Sequence, residues 1–152
     1  MSEKNELIHV LNGLLTAFAD TIDEFEAAAE HAHSYSGYAE YERDIEARRR
    51  VSRGLRLLVR RLGGEPRAGG TMMGAIKRDL VHWLGGALHG GRLLSRLLEH
   101  EEKNLIASAT LLIRDAHLPI AVRSELQNLL DGWVGDGTTG PHKHRSSDAV
   151  KT

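Results

Sequence analysis

The sequence predicts an all-α protein built as an up-and-down four-helix bundle. Apolar residues recur at steps of three and four over several long stretches of the chain, which is the spacing of one helix face. Glycines and prolines interrupt these stretches at their ends, and no stretch alternates as a β-strand does. Long apolar stripes separated by short turns are typical of helix bundles.

The first two predicted helices carry the clearest stripes. The first stripe consists of Ile8, Leu11, Leu15, Phe18, Ile22, Phe25, Ala29 and Ala32. The second consists of Tyr38, Tyr41, Ile45, Arg48, Ser52, Leu55, Val59 and Leu62. SYSG at 34–37 separates the two helices, and GGEP at 63–66 ends the second one with glycines and a proline. We therefore expect a helical hairpin at the start of the chain.

The second half predicts three more helices. Thr71 is the expected N-cap of a shorter helix that runs to about Leu88. A long helix follows, ending near His117, and a short last helix carries Val122, Leu126, Leu129 and Trp133. A connecting helix of about 18 residues spans about 27 Å, which is enough to bring the chain back along the bundle. The third long helix should therefore lie parallel to the second.

Two hairpins joined by one long crossover make the ferritin-like arrangement. The sequence thus predicts a ferritin-like bundle with a helical crossover and a shortened last helix. We expect one domain over residues 1–134. The glycine-rich polar segment 135–152 is expected to be a disordered tail.

Composition excludes several kinds of chemistry. The chain has 152 residues, a formal net charge of −1 and no cysteine. Disulfides, thiol catalysis and iron–sulfur clusters are therefore excluded. The polar start MSEKNELIHV is unlike a signal peptide, and no apolar run approaches the roughly 20 residues that span a bilayer. We expect no membrane partner and a cytoplasmic location.

Several short sequences, in this order, resemble one known family. They are VLNGLL at 10–15, FEAAAE at 25–30, LVRRLGGEP at 58–66, TMMGAI at 71–76 with Trp83, the acidic pair Glu99 and Glu102, and LP with VR at 118–123. The chain resembles small bacterial ferritin-like four-helix-bundle proteins known as a domain of unknown function. The resemblance implies a ferritin-like bundle with little chemistry and suggests a bacterial, stress-related setting. Gly54 stands where the family pattern has an acidic residue, and the last helix is shorter here.

The candidate metal ligands are incomplete. A ferritin-like di-iron site takes one carboxylate from each of two helices and Glu-x-x-His from each of the other two. Here Glu30 and His33 form such a motif at the very end of the first helix, and Glu99 and Glu102 lie on the third long helix. We therefore expect no cofactor. A divergent di-metal carboxylate protein that handles iron or peroxide remains the alternative.

One acidic residue falls on the predicted core line of the third long helix. Glu102 lies four residues after Leu98 and three before Leu105. A buried carboxylate needs a partner, and Arg48 lies on the core line of the second helix. We predict a buried Arg48–Glu102 ion pair. A small rotation of either helix would instead place both groups at the surface.

Arginines also form a stripe on the second helix. Arg49, Arg53, Arg56 and Arg60 step by four, three and four. One interpretation is a face that binds anions or nucleic acid. The other is structural, because the helix begins with acids and ends with arginines, as its dipole favours, and the first helix offers acidic neighbours. With the net charge near zero we favour the structural interpretation and expect no nucleic acid partner.

These observations favour a non-catalytic, self-associating protein over an enzyme. The short last helix should leave apolar surface uncovered at one end of the bundle, and a second copy could cover it. We expect a homo-oligomer that uses the region around Leu126, Leu130 and Trp133.

Overall fold

The computed structural model describes residues 3–32, 34–70, 90–116 and 118–137. They form four α-helices: α1 (Glu3–Glu30), α2 (Tyr35–Arg61), α3 (Gly90–Ile113) and α4 (Ile120–Gly137). There is no β-strand in these ranges. The predicted all-α four-helix bundle is confirmed. The connecting helix predicted from Thr71 to Leu88 falls outside the described residues.

Side-chain and glycine signals define both ends of α2. Ser34 caps its N-terminus, because the Ser34 hydroxyl accepts a hydrogen bond of 3.0 Å from the backbone N–H of Gly37. At the other end Gly63 adopts a φ of 87°, which favours glycine. The SYSG sequence therefore begins α2 as well as separating it from α1.

Contacts at one end of the bundle define the direction of each helix. At one end Leu7 of α1 lies beside Leu62, just past α2, and Leu112 of α3, all around one pocket. The C-terminal ends of α2 and α3 therefore meet the N-terminal end of α1. Helices α2 and α3 are parallel, as the sequence predicted, and both run antiparallel to α1. The turn at 118–119 begins α4 at the same end, so α4 runs parallel to α1.

Apolar side chains pack in two clusters along the bundle axis. The larger cluster includes Leu11, Phe18, Leu55, Leu105 and Leu126 from all four helices. A smaller one, towards the other end, joins Phe25 and its neighbouring alanines to Ile45 and Leu98. Burial of these two clusters is the main force that holds the helices together.

The segment after α2 runs back along α1. Gly63 lies near Lys4, Gly64 packs against Ile8, and Gly70 lies against Asp20. In the middle of this path the Asn12 amide donates to the Glu65 carbonyl at 3.0 Å and accepts from the Arg67 N–H at 2.8 Å. Two of the sequences that carry the family resemblance, VLNGLL and LVRRLGGEP, thus meet through Asn12.

Two helix ends differ from the sequence prediction. Helix α3 ends at Ile113 instead of near His117. After Arg114 the backbone hydrogen bonds join residues three apart instead of four, and the Leu118–Pro119 turn follows. Helix α4 continues to Gly137, three residues past the predicted domain boundary at 134, because two glycines weaken a helix end without forbidding it. Of the predicted disordered tail, 135–152, the first three residues belong to α4, and those from 138 onward lie outside the described residues. No helix among those described is long and apolar enough to cross a membrane.

Asn12 offers a test of this fold. Asn12 is 6% exposed, so Asn12→Ala removes two partly buried hydrogen bonds to the connection, those to Glu65 and Arg67. We expect a loss of about 1–2 kcal/mol in the free energy of unfolding by urea. The matched control is Gly13→Ala, because nothing lies within 4 Å of the added Cβ, and it should stabilise the helix by about 0.5–1 kcal/mol. Equal stability of the Asn12→Ala variant and the unmodified chain would contradict this role.

Candidate functional site

A completely buried arginine lies between the two apolar clusters. Arg48 of α2 is 0% exposed and follows Ile45 on the inward face of the helix. Its Nη1 donates a 3.0 Å hydrogen bond to the Asp44 carbonyl one turn earlier. A buried guanidinium is rare in proteins, because removing its charge from water is costly. The side chains around it must therefore compensate for the lost water.

Aromatic rings cover the guanidinium on two sides. Its central carbon, Cζ, lies 3.9 Å from the centroid of the Phe25 ring and 5.5 Å from that of Trp133. The negative face of an aromatic ring attracts a cation, most strongly when water is excluded. Phe18 meets Trp133 edge-on, with centroids 5.1 Å apart, and Tyr41 meets Phe25 in the same way at 6.1 Å. These contacts hold the two covering rings in place.

Carboxylates from three helices lie around the same arginine. Arg48 Nη2 is 3.6 Å from Glu102 Oε1 on α3, and both side chains are buried. Glu24 on α1 and Asp44 on α2 are 0% and 1% exposed. Burial lowers the pKa of the Arg48 guanidinium below its ordinary value, and the carboxylates of Glu102, Asp44 and Glu24 oppose that shift. The guanidinium stays protonated at neutral pH, because arginine holds its proton throughout the accessible range.

The structure brings together the two residues that were predicted to pair. Arg48 and Glu102 meet in the interior, and Glu99 lies half-buried beside them on α3. The surface alternative for this pair is excluded by their burial.

Sequence reasoning missed two members of the cluster. Glu24 does not stand on the apolar stripe of the first helix, yet its side chain is buried, one residue before Phe25. Asp44 belongs to the acidic first half of α2, yet it lies four residues before Arg48 and is buried with it. The four-residue spacing from Asp44 to Arg48 was the available signal, since residues at that spacing share a helix face.

The candidate metal ligands do not come together. Glu30 is exposed at the end of α1, and Glu102 pairs with Arg48. His33 lies outside the described residues. Within the described ranges no three histidine, aspartate or glutamate side chains are close enough to hold one metal ion. The guanidinium also opposes metal binding beside Glu102, because it would repel a second cation there.

Half of the arginine stripe is used in surface ion pairs. Arg49 pairs with Glu26 of α1, and Arg53 Nη2 lies 3.1 Å from Glu46 on its own helix. Further along α2, Arg61 pairs with Glu125 of α4. Arg56 and Arg60 have no ion pair with any residue that the structure describes. Arg49 of the stripe and Arg61 beyond it therefore join α2 to α1 and α4, which supports the structural interpretation.

The three residues predicted to form an oligomer interface do not lie on the surface of the chain, so that prediction is wrong. Leu126, Leu130 and Trp133 are 0%, 7% and 2% exposed. The physical reason is that α4 lies close against α2, where Gly54 leaves no room for a Cβ next to Leu129. Their face of α4 is therefore covered within the same chain, and Trp133 completes the surroundings of Arg48.

The geometry defines a class of protein: an all-α four-helix bundle with a charge cluster centred on a buried arginine. The chain belongs to the family described as a domain of unknown function, DUF2383, whose sequence profile matches residues 6–112. That range contains Glu24, Asp44, Arg48 and Glu102, while α4 and its Trp133 follow it. No curated protein and no solved structure gives a significant match to the chain.

A double-mutant cycle tests the interior pair. Replacing Arg48 or Glu102 alone removes the opposite charge that lies closest to the other buried group, and each single variant should lose about 3–5 kcal/mol of unfolding free energy. Combining Arg48→Met with Glu102→Met should recover most of that loss, because both desolvation penalties disappear. The measurement is urea unfolding of the four proteins. The half-exposed Arg53–Glu46 pair is the matched control, with an expected coupling below about 1 kcal/mol.

Near-zero coupling between positions 48 and 102 would contradict a structural role for the pair. Iron analysis of the same proteins, purified without an affinity tag, gives an independent result. Stoichiometric iron that is lost on Glu102→Gln would instead support the di-metal alternative.

The arginine stripe gives a separate prediction. Charge reversal by Arg53→Glu with Arg56→Glu should leave retention on DNA and RNA columns unchanged, because we expect no specific retention of the unmodified chain. Salt-sensitive binding that disappears in this double variant would overturn the structural interpretation, since binding through phosphate contacts weakens steeply with salt.

Proposed function

We propose that this chain is a non-catalytic, ferritin-like bundle protein that acts by self-association. The observation that carries the non-catalytic part is the position of Arg48. Its guanidinium fills the interior of the bundle between carboxylates of three helices and two aromatic rings. A di-metal carboxylate protein would keep its metal ions in such a place. Here the Arg48 guanidinium, a cation that is part of the chain itself, occupies the interior position that the metal ions would need.

The helix directions support the ferritin-like part of the proposal. Parallel α2 and α3 require a connection between opposite ends of the bundle, and a bundle with one such crossover is typical of ferritin-like folds. The resemblance of the sequence to a ferritin-like family points the same way. A bacterial origin and a role in stress remain part of the same proposal.

Exposed apolar side chains support self-association. Val10, Leu111 and Ile120 are 44%, 71% and 79% exposed. Val10 lines the pocket at the end of the bundle where α3 finishes and α4 begins, and the other two are chain neighbours of residues that line it, Leu112 and Pro119. Exposed apolar side chains at one end of the bundle, next to an apolar pocket, favour a contact surface there. A second copy of the chain is the simplest partner to cover it.

Light scattering over a range of protein concentrations tests this proposal. We expect an oligomer at tens of micromolar that dissociates when Leu111→Asp and Ile120→Asp are combined, since both changes put charge on the exposed apolar surface. The matched control is Tyr35→Asp, because Tyr35 is 87% exposed but begins α2 at the opposite end of the bundle. A monomer at high micromolar concentration for the unmodified chain would refute self-association.

A further inference from the structure

We propose that copies of this chain associate head to tail, with Leu57 of one copy inserted into the end pocket of the next. The end pocket is the one lined by Leu7, Val10, Leu62, Leu112, Leu118 and Pro119. This inference rests on the proposed self-association and names its two contacting surfaces.

The end pocket has an apolar floor and an acidic rim. Its volume is about 560 Å³, several times the volume of one leucine side chain. The charged residues around it are Glu3, Lys4, Glu6 and Asp115, so carboxylates outnumber ammonium groups by three to one. A pocket of this kind favours an apolar group that carries positive charge at its edges.

Lys4, the one cation among the described residues of the rim, lies beside the end of α2. Its Nζ lies 3.6 Å from the position that a Cβ on Gly63 would take, which puts it beside the C-terminal end of α2. The helix dipole places negative partial charge at that end. The rim, with three carboxylates and one ammonium group, keeps an excess of negative charge.

Helix α2 carries a surface that complements this pocket. Leu57 is 53% exposed and lies on the solvent face of α2 among Arg53, Arg56 and Arg60. Arg53 is engaged with Glu46, while Arg56 and Arg60 make no ion pair within the described part of the chain. An exposed leucine with arginines one turn before and one turn after it on the same helix face presents both the apolar body and the positive edge that the pocket requires.

Charge decides between a head-to-tail contact and a symmetric one. Two end pockets facing each other would bring their acidic rims together, and two Leu57 surfaces would bring arginines together. Like charges brought together across an interface are unfavourable. A pocket against a Leu57 surface pairs opposite charges instead. A pair joined by one such contact leaves one pocket and one Leu57 free, so assembly continues into a ring or an open chain.

Two variants, each blocking one of the surfaces, test the arrangement. Val10→Asp puts a charge in the pocket, and Leu57→Asp removes the apolar group and reverses the local charge. Each variant alone should be monomeric in sedimentation velocity, with self-association weakened at least about tenfold. An equimolar mixture should form a 1:1 dimer and nothing larger, because it contains one intact pocket and one intact Leu57 surface. Salt should weaken that dimer.

The alternatives give different results. A symmetric pocket contact predicts that Leu57→Asp assembles as the unmodified chain does, and a symmetric α2 contact predicts the same of Val10→Asp. Either outcome, or a mixture that stays monomeric, overturns the head-to-tail arrangement while self-association stands. A monomeric unmodified chain refutes both proposals.

Folding of each variant is checked by its circular dichroism and thermal transition. If Val10→Asp does not fold, combining Glu3→Lys with Glu6→Lys replaces it, since both side chains are exposed and the change reverses the rim charge. The combined variant should be monomeric alone and should form a 1:1 dimer with Leu57→Asp. Assembly of the combined variant at the affinity of the unmodified chain would overturn the proposed charge pairing.

Discussion

A guanidinium held in the interior sets the conditions that the rest of this bundle must meet. Arg48 is removed from water completely, and the cost of that removal is offset by surrounding groups in a fixed geometry. The Phe25 and Trp133 rings, the Asp44 carbonyl and the Glu102 carboxylate come from every helix of the bundle. A rotation or shift of any one helix would remove part of this compensation. The arginine therefore specifies how the four helices fit together.

Apolar packing alone specifies such an arrangement less strictly. Leucine and alanine faces can slide past each other at modest cost, and cores built from them tolerate repacking. A charge that is compensated in one arrangement penalises the others. We infer that the cluster around Arg48 selects the register of α2 against α1 and α3, while the two apolar clusters on either side supply the stability.

The sequence predicts the helices better than their ends. The apolar stripes place α1 and α2 correctly, because the spacing of apolar residues reflects burial directly. The end of α4 at Gly137 was missed, since helix ends depend on marginal local energies that glycine lowers only slightly. The parallel direction of α2 and α3 could be predicted from the length of the connection between them. It required no knowledge of side-chain contacts.

Half of the charge cluster could be read from the sequence. Glu102 and Arg48 interrupt otherwise apolar stripes, so their burial and pairing were predictable. Glu24 and Asp44 sit beside the stripe, where a rotation of a few tens of degrees decides between core and solvent. Periodicity fixes the direction of a side chain less closely than that. The burial of Leu126, Leu130 and Trp133 was missed for another reason: it depends on the close approach of α4 to Gly54, a distance that no sequence pattern states.

The bonds from Asn12 to the segment after α2 have a consequence for the order of folding. The two bonds join residues that are separated in sequence by 53 and 55 positions. Closing a loop of that length is entropically costly for a free chain. Once the α1–α2 hairpin has formed, however, residue 62 already lies near the start of α1, and only a few more residues must be ordered to reach Asn12. The closure should therefore follow the hairpin and be fast. It would commit the chain to return along α1 before α3 is added to the bundle.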